Sequence, residues 1–338
     1  MSTSSFRAFV GLLAGLTAAC GAPNAPSSDT PPSQATSPAP ADAAVVTEHV
    51  VEATSLLGVQ LLQPDLDEEL AQEQEARLAE ARADLEANPD DAMSHIWVGR
   101  RTAYLGRYRE SIEIFTAALE QFPEEPRLYR HRGHRYITVR ELDNAIADLA
   151  KAVELLRDRE PEVEPDGLPN AENIPLGTTH TSAYYHLGLA HYLKGDFEAA
   201  AATYHEGLEY SENDDMDVAF MYWLVMTLQR LGRDDEANEV LAGISRDMKL
   251  IENADYQRLL LLFKGETTAE ELLGADEDLS AATLGYGVGY HRMANGDEAR
   301  AMETFKGVVD GDTWAAFGYI ASEAELARAD ASVPSPRG

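Results

Sequence analysis

Three groups of residues in this 338-residue sequence have types and spacings that could do chemistry. His205, Glu206 and Glu209 come one residue short of the helical zinc pattern, which needs a second histidine four positions after the first; Glu209 stands there instead. Gly285, Gly287 and Gly289 could cradle a dinucleotide phosphate only if they followed a strand and opened a helix. They fall inside a helical pattern, where small residues serve close packing. His131 and His134, three apart, could chelate a metal from one helix face, but Arg130, Arg132 and Arg135 surround them with a field that opposes a cation. No serine–histidine–acid order, phosphate loop or cysteine pair is present. The sequence therefore predicts no catalytic residue, no metal and no cofactor, and the chain reads as a non-enzyme.

A fourth group stands out against the background charge. The chain carries 59 acids against 27 bases, a net of −32, which excludes nucleic acid and anionic membrane surfaces as ligands for the whole. Yet residues 97–140 hold nine arginines (100, 101, 107, 109, 127, 130, 132, 135 and 140) and only five acids. A planar guanidinium grips a carboxylate through two parallel hydrogen bonds, so the cluster could be an anion-recognising patch. The opposing expectation is that these arginines pair with glutamates on neighbouring helices.

What positions these groups is a 34-residue period. Residues 92–125 and 126–159 abut without a gap, each with a small residue at position 8 and a bulky one at position 24: Gly99 and Phe115, then Gly133 and Leu149. Residues 181–214 repeat the pattern with Tyr184, Leu187, Gly188, Gly195, Phe197, Ala200 and Tyr204, and further copies lie near 218–251 and 282–315. These units resemble tetratricopeptide repeats. The resemblance covers 64–329 and implies an all-α fold, a right-handed superhelical solenoid of antiparallel helix pairs. Outside the five copies, residues 70–87 read as a lone helix ended near Asn88-Pro89. Tyr256 to Phe263 read as a shortened first helix, Thr268 with Glu271 as a capping box, and Trp314, Phe317, Gly318 and Ala321 as one more first helix. Residues 160–180, with four prolines, form a long loop that is either functional or disordered. Residues 43–63 are apolar and read as an extended strand packed on the solenoid or as an extra helix.

In tetratricopeptide proteins, positions 2, 5, 9, 12 and 13 of the first helix line the concave groove. Carried over, those positions give Arg100, Arg127, Arg130, His134, Tyr185 and Tyr192 as ligand-binding residues. The set loosely resembles a carboxylate clamp and implies a protein or peptide partner held through a carboxylate. The alternative is a structural subunit of an envelope assembly with no peptide-tail recognition.

At the N-terminus, Arg7 precedes an apolar run from Ala8 to Ala19, a signal-peptide pattern over 1–19 and too short to span a bilayer. Leu16-Thr17-Ala18-Ala19-Cys20-Gly21 resembles the lipobox of bacterial lipoproteins, with Thr17 where that family has leucine. The resemblance implies lipidation of Cys20, the sole cysteine, and an exported chain anchored to the cell envelope, on the periplasmic side of the outer membrane in a two-membrane cell. The alternative is ordinary cleavage after Ala19. A Pro/Ala/Ser-rich tether over 20–42 and a disordered tail over 330–338 complete the expected layout.

Overall fold

The computed structural model describes residues 50–273 and 282–332. The expected signal segment, Cys20, the tether and residues 333–338 lie outside the described residues. Among those described, fourteen helices follow one short hairpin, β1 (Val51–Thr54) and β2 (Gln60–Leu62). The apolar 43–63 segment thus ends as strand rather than helix. A lone helix, α1 (Glu68–Ala87), leads into the pairs α2/α3 (Ala92–Tyr104, Tyr108–Gln121), α4/α5 (Pro126–Thr138, Leu142–Leu156) and α6/α7 (Thr179–Lys194, Phe197–Leu208). Next come α8/α9 (Asp214–Arg230, Asp234–Ala242), α10 (Ala254–Phe263) with the short α11 (Ala269–Leu273), and α12/α13 (Ala282–Ala294, Glu298–Val309). The last helix, α14 (Phe317–Ser332), runs into the stretch expected as tail.

Local chemistry explains these boundaries. Asp91, Thr178 and Asn213 each accept a hydrogen bond from a backbone N–H of the first turn of α2, α6 and α8, satisfying donors that a helix start leaves orphaned. At α11, Thr268 and Glu271 close the expected capping box in both directions, at 3.1 and 3.2 Å. Four of the five pairs then close on a glycine; α8/α9 has Val225 at that position. A Cβ added at Gly99, Gly133, Gly188 or Gly289 would stand 2.3–2.6 Å from Phe115, Leu149, Tyr204 or Phe305, the position-24 residue of the same repeat. The position-8 and position-24 pattern is therefore the inter-helix contact itself.

Consecutive helices pack as antiparallel neighbours, and first helices also touch the next first helix: α2 on α4, α4 on α6, α6 on α8, α8 on α10, α10 on α12. The array thus curves with first helices on its inner side. A continuous core runs through α6 to α14, centred on Trp223, Tyr192, Tyr204, Phe220 and Tyr286, all at most 1% exposed. The closing helix α14 packs on α12 and α13 as an end cap would, and it also reaches back to α6.

That return contact is locked at one turn. The turn between first and second helix is made by a glycine at positive φ in four repeats: Gly106, Gly195, Gly232 and Gly296. In the second repeat the same position holds Arg140 at φ 65°. A left-handed non-glycine residue costs roughly 1–2 kcal/mol. The side chain offsets this by donating to both carboxylate oxygens of Glu323 on α14 (3.0 and 2.9 Å) and to the Trp314 carbonyl (2.7 Å). The Glu323 carboxylate also accepts from the Leu56 backbone in the hairpin loop at 3.3 Å, and Trp314 Nε1 donates to Leu62 O at 2.9 Å. Hairpin, second repeat and closing helix are joined at one buried ion pair.

Candidate functional site

The six residues expected to bind a ligand separate into two environments. Tyr185 and Tyr192, on α6, lie inside the core. The Tyr185 hydroxyl meets Trp223 Nε1 and the Tyr256 hydroxyl, each at 3.0 Å, and the Tyr192 hydroxyl meets that of Tyr286 at 2.6 Å. His134 packs against His186 and Phe317, with ring centroids 4.4 and 5.3 Å away. The groove positions of the third repeat are thus filled by side chains of α8, α10 and α12, and Phe317, the first residue of α14, lies against Tyr185 as well as His134. The sequence signal that could have revealed the return of α14 was present but unreadable by period: Glu323 and Glu325 are buried acids on an apolar helix, and their partners are Arg140 and Arg230, far away in the chain.

The arginines lie at the other end of the inner side, on α2 and α4. Arg127 is bound by its own helix cap, Glu125, through two bonds of 2.6 and 2.9 Å. Arg100 and Arg130 instead meet the long loop between the second and third repeats. Its base is pinned by a β-bridge between Val163 and Thr178. Beyond that base it crosses the array as a strap over 164–177. Arg100 donates to the Pro165 carbonyl at 2.8 Å, and Arg101 to the Gly167 carbonyl at 2.9 Å. Further on, Asn170 donates to Glu252 at 2.8 Å and Asn213 to the Leu176 carbonyl at 2.9 Å. Glu252 is itself placed by the buried Asp215, which accepts from the backbone N–H groups of Ile251, Glu252 and Asn253 at 2.8–2.9 Å.

At the centre of this crossing sits a closed triangle. Arg130 meets His131 Nδ1 at 2.8 Å, His131 Nε2 stands 2.9 Å from Glu164 Oε1, and Arg130 reaches Glu164 Oε2 at 3.2 Å. Because Nδ1 faces a guanidinium donor, the ring is assigned the neutral form protonated at Nε2. Burial, and then the Arg130 charge, push the His131 pKa well down. Burial alone would raise the Glu164 carboxyl, but Arg130 and His131 hold it well below the usual carboxylate range. Neither Glu164 oxygen meets hydrogen-bond geometry, and Arg130 Nε is buried without a partner. Nearby, Arg135 has no carboxylate within ion-pair reach; it lies over the Tyr108 ring at 5.6 Å, and burial pushes it down to about 10.

Seven of the nine clustered arginines do pair with acids: Arg107 with Glu75, Arg109 with Glu141, Arg127 with Glu125, Arg130 with Glu164, Arg132 with Asp148 and Arg140 with Glu323 make six within ion-pair distance, and Arg100 interacts with Asp166 at longer range. Arg101 and Arg135 face backbone or aromatic rings. His131 and His134 point to different partners, and among the described residues no group of three or more histidine, cysteine or acidic side chains could hold a metal.

The tetratricopeptide-repeat profile matches residues 181–214. The U-box domain-containing protein 70 of Oryza sativa subsp. japonica is 25% identical over 242 residues, 67% of this chain. The chain spans only 27% of the length of that relative. Among solved structures, YrrB, described as a TPR protein with an unusual peptide-binding site, shares 16% identity over 75% of this chain and 98% of its own, with a TM-score of 0.39. The Naa15/Naa10 complex bound to HypK-THB shares 12% identity over 72% of this chain and 36% of the matched chain, with a TM-score of 0.34. Residues 181–214, the helix pair α6/α7 with its glycine-to-tyrosine contact, are a tetratricopeptide repeat, and they sit within an all-helical solenoid.

Proposed function

We propose that this chain is a non-catalytic scaffold that binds an extended, acid-bearing peptide or protein segment on the inner face of α2 and α4. The observation that carries the reading is the set Arg100, Arg101 and Arg130, which holds two main-chain carbonyls and one carboxylate although the chain as a whole is at −32. Such groups recognise the backbone of any extended segment and one acid within it. The helix pairs wind as a right-handed superhelix with this face inward. Probing the purified chain against an array of acidic peptides should give binding that weakens as salt is added. Charge-assisted hydrogen bonds contribute about 1.5–3 kcal/mol, so Arg130→Ala should weaken it roughly tenfold to a hundredfold. A ligand indifferent to both salt and Arg130→Ala removes the reading.

The same proposal places the scaffold at the bacterial cell envelope, held by a lipid on Cys20. Its support is the lipobox-like Leu16 to Gly21 around the sole cysteine. Wild-type protein should take up labelled fatty acid and partition with membranes, and Cys20→Ser should do neither; an unlabelled wild type overturns it. A second reading, a structural subunit of an envelope assembly, is favoured by one observation. Val50, Val51, Leu57, Val59 and Leu62 all expose apolar side chains on the hairpin, a surface suited to a protein contact. Native mass measurement on solubilised envelopes distinguishes the two: a stoichiometric large complex supports the second reading.

A further inference from the structure

The strap makes the contacts a bound peptide would make. It presents the carbonyls of Pro165, Gly167 and Leu176 to side-chain donors and one carboxylate, Glu164, to Arg130 and His131. It crosses from α2 to the segment before α10, touching groups from four repeats on the way. Little apolar burial holds it there, since Val163, Leu168 and Ile174 are 65, 43 and 47% exposed. Its Glu164 ion pair is also poorly made, and Asp166 meets Arg100 only at longer range. Arg132, Arg127 and Arg140 each grip an acid with two bonds of 2.6–3.0 Å, while Arg130 touches Glu164 once, at 3.2 Å, and leaves Nε empty.

We propose that residues 164–177 are an internal pseudo-ligand, a displaceable strap that occupies the cationic face until an extended segment carrying a better-placed carboxylate replaces it. This rests on the peptide-binding reading above. A bidentate carboxylate on Arg130 fills the empty Nε and uses the neighbouring Arg135, which the strap leaves without an acid. The base at Val163 and Thr178 keeps the released strap tethered, so it returns when the ligand leaves. A tether of this length sets an effective concentration of order millimolar, which an incoming segment must beat. Selection against weak or neutral segments follows.

The probe is a fluorescent synthetic peptide with the sequence of residues 160–178, added to three full-length proteins. In the first variant, residues 164–177 are replaced by a glycine–serine linker of equal length. The second is Gly167→Val, since a Cβ there would stand 1.7 Å from the Tyr104 hydroxyl and 2.7 Å from Arg100 Nη2, which lifts the strap at its crossing while every arginine is retained. The third protein is wild type. The proposal expects both variants to bind the peptide at least tenfold more tightly than wild type. It also expects a Glu164→Gln peptide to bind them at least tenfold more weakly than the native sequence. Equal binding by wild type and by folded variants, or by the two peptides, overturns it, as does absence of binding to both variants when circular dichroism shows them folded. If the acidic array still finds Arg130-dependent ligands in that case, the strap proposal alone has failed; if the array is also silent, the peptide-binding reading fails with it.

Discussion

Two arginines ten residues apart in the second repeat, Arg130 and Arg140, show how differently one chemical pair can be used. Arg140 meets Glu323 with side chains 2 and 1% exposed, two parallel bonds, and further bonds to the Thr138 and Trp314 carbonyls. Arg130 meets Glu164 with side chains 14 and 6% exposed, one contact and an orphaned Nε. The acid in the first pair comes from a helix packed on three others; in the second it comes from a loop with its apolar side chains in water. A buried ion pair repays its desolvation only when its geometry is excellent, and removing one partner leaves an uncompensated buried charge. The first pair is therefore a permanent clasp and the second an exchangeable one.

The largest expected effect is on the clasp. Glu323→Gln leaves Arg140 buried, at a strained φ, without its counter-charge, and should cost about 3–5 kcal/mol in urea unfolding. Arg140→Gly should also destabilise despite relieving the backbone, because it leaves Glu323 alone. If either change is neutral, the distinction between the two pairs collapses.

Next is acid. His131, His134 and His186 have pKa values depressed first by burial and then by the charges of Arg130 or Arg135, with His186 at about 3. A base whose folded pKa lies below its unfolded value near 6.5 costs nothing above that pH. Below it, the unfolded chain takes up protons that the folded chain refuses, so stability falls as pH falls. Between pH 6.5 and 5 this amounts to about 2 kcal/mol for His186, and His131 and His134 act in the same direction. Glu164 is also depressed, so its contribution too is lost as pH falls, but only below its unfolded value near 4.5, and the window from 6.5 to 5 belongs to the histidines. His186→Phe should flatten that part of the curve.

Smaller still is the strap. Glu164→Gln should cost roughly 1.5 kcal/mol, about half as much as Glu323→Gln or less, by the same urea measurement. The smallest effect is a rate: 0.5 M salt should speed hydrogen exchange at Ile174 while leaving the Leu56 amide, which donates to Glu323, unchanged.

The helix pairs were legible because each is a local event repeated. Gly188 meeting Tyr204, or Thr268 capping with Glu271, involves residues 3 to 16 apart, and the period of 34 multiplies the signal. The expected arginines Arg100 and Arg130 lie on α2 and α4, where both meet the long loop. What covers them was not legible. Glu323 lies 183 residues from Arg140, and a single acid at that distance has no period to betray it. Tyr185 and Tyr192 occupy the groove positions of their repeat, yet side chains of α8, α10 and α12 fill the same space and Phe317 lies against Tyr185. The proline-rich loop was visible as an interruption, but its destination depends on carbonyl contacts, which any sequence can make.

Arg140 at its left-handed turn has a consequence for timing. Open repeat arrays can close pair by pair as they are made, each unit resting on the one before. Here the second repeat is finished only when Glu323 arrives, 183 residues later. At a synthesis rate of roughly 5–20 residues per second, that is a wait of about 10–40 s. During it, the strained turn and its buried guanidinium have no counter-charge, and the N-terminal pairs gain their final stability last, from the other end of the chain.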